Sequence, residues 1–287
     1  MYKCIIPGLL GLFLLACSSE VDLGEWHSPP KLTLVGLISP DRPISVRLSA
    51  TVPIIEKTFP VIENARIQLY ENEALIGTMD YVSERNYTIN YYPRAGQTYT
   101  IVAEADGFPV IKAVEILPAN IEQIELGPIS FQYPTGMLED YIVGTAEFDL
   151  KDDSENTVNY YEMPFSSIYA VYSDAISYDK SRDFMRKESI LFTNQTFAGT
   201  SMHFSIQTGF NYSPVPDFVN LTVRKVSPAY YAYKTTWYEH QYNQMAFNPD
   251  FLENLFLLNS SVNMYSNIEN GYGIFASYAE TVKVSER

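Results

Sequence analysis

Between Lys31 and Pro118 apolar and polar residues take turns in short runs. In Ser45 to Val52, the apolar Val46, Leu48, Ala50 and Val52 alternate with Ser45, Arg47, Ser49 and Thr51. That period of two is what a strand with one wet face requires. Ala65, Ile67 and Leu69 repeat it, as do Tyr87, Ile89 and Tyr91, then Tyr99, Ile101 and Ala103. Glu71-Asn72-Glu73, Pro93-Arg94-Ala95-Gly96 and Asp106-Gly107 supply reversals between the runs. About seven strands in roughly 90 residues, with no helical period among them, predict an antiparallel sandwich of immunoglobulin-like or transthyretin-like type.

Leu117-Pro118-Ala119 breaks the pattern, and a second β-rich domain is expected over 119–287. Its strands are read at Tyr141 to Leu150, Tyr160 to Tyr172, Ser189 to Thr193, Met202 to Thr208, a run holding Val219, Leu221 and Val223, and Tyr272 to Val284. One helix interrupts them, at about 228–245. Ser227 is placed to cap it, and Pro228 suits the first turn, where no N–H is needed. Tyr230, Tyr231, Tyr233, Trp237, Tyr238, Tyr242 and Met245 fall on one broad face, with Ala232, Thr236, Glu239 and Asn243 on the other. The helix should therefore lie against the second sheet.

A different pattern opens the chain. Lys3 precedes a dozen mostly apolar residues ending at Ala16, which together read as a secretory signal over 1–16. The run is too short to span a bilayer, which takes about 20 apolar residues. Leu14-Leu15-Ala16-Cys17 resembles the bacterial lipobox, in which the cysteine is acylated and becomes the first residue of the mature chain. Several acyl chains on one cysteine anchor a protein to the lipid bilayer durably, where a single chain gives only marginal binding. Ser18 to Pro30 then reads as a tether, acidic at Glu20, Asp22 and Glu25 and stiffened by Pro29-Pro30. Cys4 leaves with the signal and Cys17 is taken by lipid, so the mature chain has no disulfide to draw on.

Charge narrows the partners. Removing the signal takes only Lys3, leaving 18 basic against 34 acidic residues and a formal charge of −16. Nucleic acid would be repelled, as would direct adhesion to anionic lipid. Histidines number three, His27, His203 and His240, scattered through tether, strand and helix without metal-ligand spacing. No nucleophile elbow or phosphate loop is present, and neither metal nor cofactor is expected. Asp149, Asp152, Asp153 and Glu155 form the densest acidic cluster, read as a solvated turn because it lacks the order and central glycine of a calcium loop. Tyr230, Tyr231, Trp237 and Tyr238 are the candidate contacts for a partner or ligand, since such side chains join apolar area to a polar tip. The same residues are also needed to fill the core.

The lipobox and tether, KLTLVGLISPDRPISVRLSAT (Lys31 to Thr51), PVIENARIQLYENEALIGT (Pro60 to Thr78), RAGQTYTIVAEADGFP (Arg94 to Pro109), VSPAYYAYKTTWYEH (Val226 to His240) and SNIENGYGIFASY (Ser266 to Tyr278) together resemble the domain-of-unknown-function 4249 family. That resemblance implies an outer-membrane lipoprotein of Bacteroidetes-type bacteria, often encoded beside a TonB-dependent, SusC-like receptor. It carries no catalytic residues to transfer.

Three functions follow as expectations. The first is a non-enzymatic accessory lipoprotein that docks on a TonB-dependent receptor and helps admit a small-molecule, glycan or peptide ligand. The second is a membrane-anchored hydrolase of glycans working through paired carboxylates. The third is a structural or adhesive component of the envelope. Whether an outer-membrane protein of this kind faces the exterior or the periplasm is open, since Ser18-Ser19-Glu20-Val21-Asp22 matches surface-export signals only loosely.

Overall fold

The computed structural model describes residues 29–53, 56, 58–121, 123–132, 141–164, 168–174, 176–179, 187–211, 218–245 and 263–286. Cys17, the signal segment and the tether up to residue 28 lie outside the described residues. In chain order the strands are β1 (Leu32–Ile38), β2 (Ile44–Ala50), β3 (Arg66–Glu71), β4 (Ala74–Thr78), β5 (Asp80–Ser83), β6 (Asn86–Ile89), β7 (Thr98–Glu104), β8 (Ile111–Ile116), β9 (Ile124–Leu126), β10 (Ser130–Gln132), β11 (Tyr141–Lys151), β12 (Tyr160–Pro164), β13 (Ile168–Ser173), β14 (Ser177–Asp179), β15 (Ser189–Thr193), β16 (Ser201–Asn211), β17 (Phe218–Val226) and β18 (Tyr272–Glu286). Helix α1 (Pro228–Met245) follows β17.

Three sheets pair off into two sandwiches. A sheet in the order β15-β12-β17-β18-β1-β2-β6-β5 runs through the whole molecule. Its β1-β2-β6-β5 end faces the sheet β4-β3-β7-β8, and the residues between them form one core: Leu32, Leu34, Val46, Leu48, Ile67, Leu69, Tyr87, Tyr99 and Ile101 are all buried. Its other end faces the sheet β10-β11-β16-β13-β14 around a second core that includes Phe148, Tyr161, Met163, Phe192, Phe204, Ile206, Leu221 and Val223. Phe148 and Phe204 stack there with centroids 4.7 Å apart. The alternation in the sequence thus reports burial faithfully: Ile44, Val46, Leu48 and Ala50 are buried while Ser45 and Arg47 are exposed. Likewise Met202, Phe204 and Ile206 share the inner face of β16. Tyr160 to Tyr172, expected as one strand, is two, with β12 in the long sheet and β13 in the facing one. Period-two patterning says which face is wet, not which sheet a strand joins.

The turns obey backbone sterics. Asn72 and Glu73 both take positive φ (47° and 71°) in the β3-β4 reversal, as Glu84 and Arg85 do (48° and 72°) between β5 and β6. Two successive left-handed residues are what a two-residue hairpin needs to match the strand twist.

β18 is the element that joins the sandwiches. Its first half pairs in parallel with β1, from Thr33↔Tyr272 to Ile38↔Ser277, and its second half pairs antiparallel with β17, from Val226↔Tyr278 to Phe218↔Glu286. The SNIENGYGIFASY motif explains how the chain enters this position. Asn267 brackets the backbone of Phe275, donating from Nδ2 to its carbonyl (2.7 Å) and accepting its N–H at Oδ1 (2.9 Å). Asn270 adopts φ 59° and donates to the Val110 carbonyl. Gly273, at φ 110°, passes so close to β1 that a Cβ there would overlap the Leu34 carbonyl oxygen. Only glycine meets both demands. Ile274 and Phe275 then turn to opposite faces, fully buried, one under α1 and one in the first core.

Candidate functional site

The helix begins as its sequence predicts. Ser227 Oγ accepts the Tyr230 N–H at 3.1 Å, which caps the first turn. The aromatic face packs over β18: Tyr230 joins Val226, Ile274, Ala276 and Tyr278 in a third buried cluster, with Tyr231 and Tyr233 at its edge. The opposite face is less wet than expected. Ala232 and Thr236 are half-buried because the chain at Tyr265 lies alongside, its N–H donating to Thr236 Oγ1 at 2.9 Å; Glu239 alone of the described residues on that face is exposed. The side chains of Tyr242, Asn243 and Met245 lie outside the described residues.

Under the helix sits a buried carboxylate that the sequence does not single out. Glu162 on β12 is 1 % exposed, and donors surround it: Ser189 Oγ at 2.7 Å, Tyr230 Oη at 2.7 Å and Arg224 Nη1 at 2.9 Å, with Lys234 Nζ at 3.8 Å. Four elements converge to build it. β12 and β17 are adjacent strands that place Glu162 opposite Arg224, β15 brings Ser189, and α1 brings Tyr230 and Lys234. Arg224 is shared, its Nε donating to Glu280 on β18 at 2.7 Å while its guanidinium lies over the Tyr278 ring at 4.7 Å. Arg42, from the β1-β2 turn, reaches the same ring and donates to the Tyr278 hydroxyl. Tyr238 closes the cluster, its hydroxyl 2.8 Å from Ser189 Oγ and its ring 5.6 Å from Lys234 Nζ.

The electrostatics follow from this packing. Burial pushes the Tyr230 hydroxyl far above its ordinary range, and the Glu162 charge pushes it the same way. Burial likewise raises Tyr238, Tyr231 and Tyr233. Burial alone would lower Arg224, but its bonds to Glu162 and Glu280 outweigh that and hold the guanidinium charged. All these tyrosines stay neutral donors at physiological pH. The cluster therefore ties α1 to the sheet, with each charge matched by a partner.

The four candidate contact residues divide accordingly. Tyr230 and Tyr238 are buried, at 3 % and 6 % exposure, and belong to the cluster. Tyr231 is half-buried against Tyr160, with centroids 4.9 Å apart, and Trp237 is half-buried. These two retain surface for a partner. In the acidic cluster Asp153 and Glu155 are exposed, as a solvated turn requires, but Asp152 is not. Asp152 is 4 % exposed and accepts from Asn159 Nδ2 (2.8 Å), Tyr161 Oη (2.7 Å) and the Ser154 N–H (2.8 Å), because Tyr161 projects its hydroxyl out of the second core toward it. Asp149 and Glu147 flank the exposed His203, each 3.1 Å from one ring nitrogen, and the bond from Asp149 chiefly raises the histidine's pKa. A buried acid reads like an exposed one in sequence; what holds this one is the Tyr161 hydroxyl from the next strand, β12.

Fold and cluster together define a mainly β protein of two sandwiches sharing one sheet, with a helix bolted over the shared strand. The family model for the domain of unknown function 4249 matches residues 19–284, and the chain belongs to that family. Among curated proteins none matches this chain.

Proposed function

We propose that this protein is a non-enzymatic lipoprotein of the outer membrane, held to the bilayer by acyl chains on Cys17, and that it serves as an accessory partner of a TonB-dependent nutrient receptor. The observation that carries this reading is the order of features at the start of the chain. An apolar run ends at Leu14-Leu15-Ala16-Cys17, a polar tether follows, and the family match begins at Ser19, two residues beyond the cysteine. The tether's thirteen residues, Ser18 to Pro30, reach at most about 45 Å when extended.

The body suits an anchored role. The tether joins at β1, which is hydrogen-bonded on both sides, to β18 and β2. Lys31 and Thr51 clamp the entry, the Lys31 N–H donating to Thr51 Oγ1 and the Thr51 N–H to the Lys31 carbonyl, both at 2.9 Å. Tension on the anchor thus falls on a central strand rather than on an edge. The hydrolase reading has less to draw on, since Asp152 and Glu162 are each committed to buried partners. Half-exposed Tyr231 and Trp237 are the surface offered to the receptor or to a small-molecule, glycan or peptide ligand.

Affinity purification of the tagged protein from mildly solubilised outer membrane is the test. A TonB-dependent receptor recovered in stoichiometric amount supports the proposal. Recovery of the lipoprotein alone, under detergents that preserve other receptor complexes, contradicts it. Protease shaving of intact cells reports which side of the membrane the body occupies.

A further inference from the structure

Glu115 faces inward from β8, an edge strand of the first sandwich, and is 5 % exposed. It meets β18 and the start of α1 at the point where the two sandwiches join. Ser277 Oγ lies 2.6 Å from Glu115 Oε1 and 2.9 Å from the Ile116 carbonyl oxygen. A serine hydroxyl has one hydrogen and cannot donate to both. The conflict disappears when the carboxyl carries a proton: Glu115 donates to Ser277 Oγ, and Ser277 donates to Ile116. Ser227, whose Oγ already accepts the Tyr230 N–H, also accepts the Ser277 N–H at 3.4 Å and pulls the carboxyl's pKa down. Its own N–H donates to the Ser277 carbonyl at 3.0 Å.

Among the described residues no cation compensates this carboxyl. On β8 the charged neighbour is the exposed Lys112; β7 places Tyr99 opposite, its hydroxyl committed to Glu71. Beyond the end of β1, Asp41 takes the Ser39 hydroxyl, and Arg42 is occupied with Tyr278. On β18, Glu280 is held by Arg224, and the first turn of α1 carries no charged residue. Burial therefore pushes Glu115 up to about 7, against the lowering pull of the two serines.

We propose that Glu115 is a proton-operated latch, which when neutral ties the edge strand of the first sandwich to β18 and to the capped start of α1, and which loosens that seam when it ionises. The helix that carries Tyr231 and Trp237 is thereby coupled to the first sandwich through one titrating group. Its ionisation range spans mildly acidic to neutral surroundings, so the seam tightens as the medium acidifies.

Amide hydrogen exchange on the full chain tests this, read at residues 111–116 and 228–233 and corrected for intrinsic rates. With a closed-state value near 7 and an ordinary value of 4.5 when open, exchange through seam opening should quicken about 30-fold between pH 5.5 and 8.5. The β3-β7 pair serves as the control and should not respond. Glu115→Gln, whose amide donates as the neutral acid does, should abolish the pH dependence and keep the protection seen at pH 5.5. A change below about threefold in the wild type, or an equal change in Glu115→Gln, overturns the latch. Should that variant fold poorly, the carboxyl-carbon resonance of Glu115 in the wild type decides: a midpoint near 7 supports the proposal, and one in the ordinary carboxylate range overturns it.

Discussion

The two halves of β18 solve the same problem by different means. Residues 278–286 lie antiparallel to β17, where Arg224 bridges the carboxylates of Glu162 and Glu280 and Lys234 stands 3.8 Å from Glu162. Residues 272–277 lie parallel to β1, where Glu115 is met by two serines and, among the described residues, by no cation. An arginine keeps its charge over the whole accessible range, so the counter-charge in the first arrangement is constant. A proton comes and goes, so the second arrangement varies with pH. One strand thus carries a fixed joint toward the second sandwich and an adjustable one toward the first.

The largest expected effect comes from breaking the parallel half outright. Gly273→Ala puts a methyl group into the Leu34 carbonyl at φ 110°, so β18 must withdraw from β1. A loss of about 4 kcal/mol in urea unfolding is expected from the clash and backbone strain together. Next comes the fixed joint. Arg224→Met leaves Glu280 without its cation and Glu162, 1 % exposed, with only the more distant Lys234, and should cost about 3 kcal/mol. Glu162→Gln should cost less, because Arg224 keeps Glu280 and the amide still accepts from Tyr230. Equal losses for the two variants would show that the pair is not organised around the arginine.

The adjustable joint is sharpened by pH. Glu115 has a folded value raised to about 7 from 4.5, so the native state binds more protons than the unfolded one between those values. Its stabilisation is complete below about 4.5 and is lost as the pH rises to about 7, a decline of up to about 3 kcal/mol for that shift. Urea midpoints should fall over this window in the wild type and fall less in Glu115→Gln. The smallest effect is expected at Glu71, on β3, which bonds Arg94, Tyr91 and Tyr99. Chiefly through Arg94, its carboxyl is held down at about 2, so its contribution is present above 4.5 and fades only as the pH falls toward 2. Arg94 is 68 % exposed, so Arg94→Ala should cost only about 1 kcal/mol, again by urea unfolding.

Local pattern made much of this fold readable. Alternation located β2, β3, β6 and β7 of the first sandwich, and Ser227-Pro228 with the aromatic face located α1, because burial and capping act over a few neighbouring residues. Pairing of β18 with β1 joins residues more than 230 apart, and no local pattern encodes a partner at that distance. Gly273 marks a stretch of backbone that a side chain could not follow, and the reason is the close pass beneath Leu34. The candidate site was read in half. Tyr230 and Tyr238 were visible as amphipathic aromatics, but Glu162, Arg224 and Glu115 look in sequence like any surface charges. Their burial is decided by strands that meet only in the folded sheet.

The most direct measurement is incorporation of labelled palmitate, with membrane fractionation of the wild type and of Cys17→Ser. The account predicts label in the wild type at that cysteine alone, and a Cys17→Ser chain that takes up none and leaves the membrane fraction. An unlabelled wild type, or a Cys17→Ser chain as firmly membrane-bound as before, would contradict it.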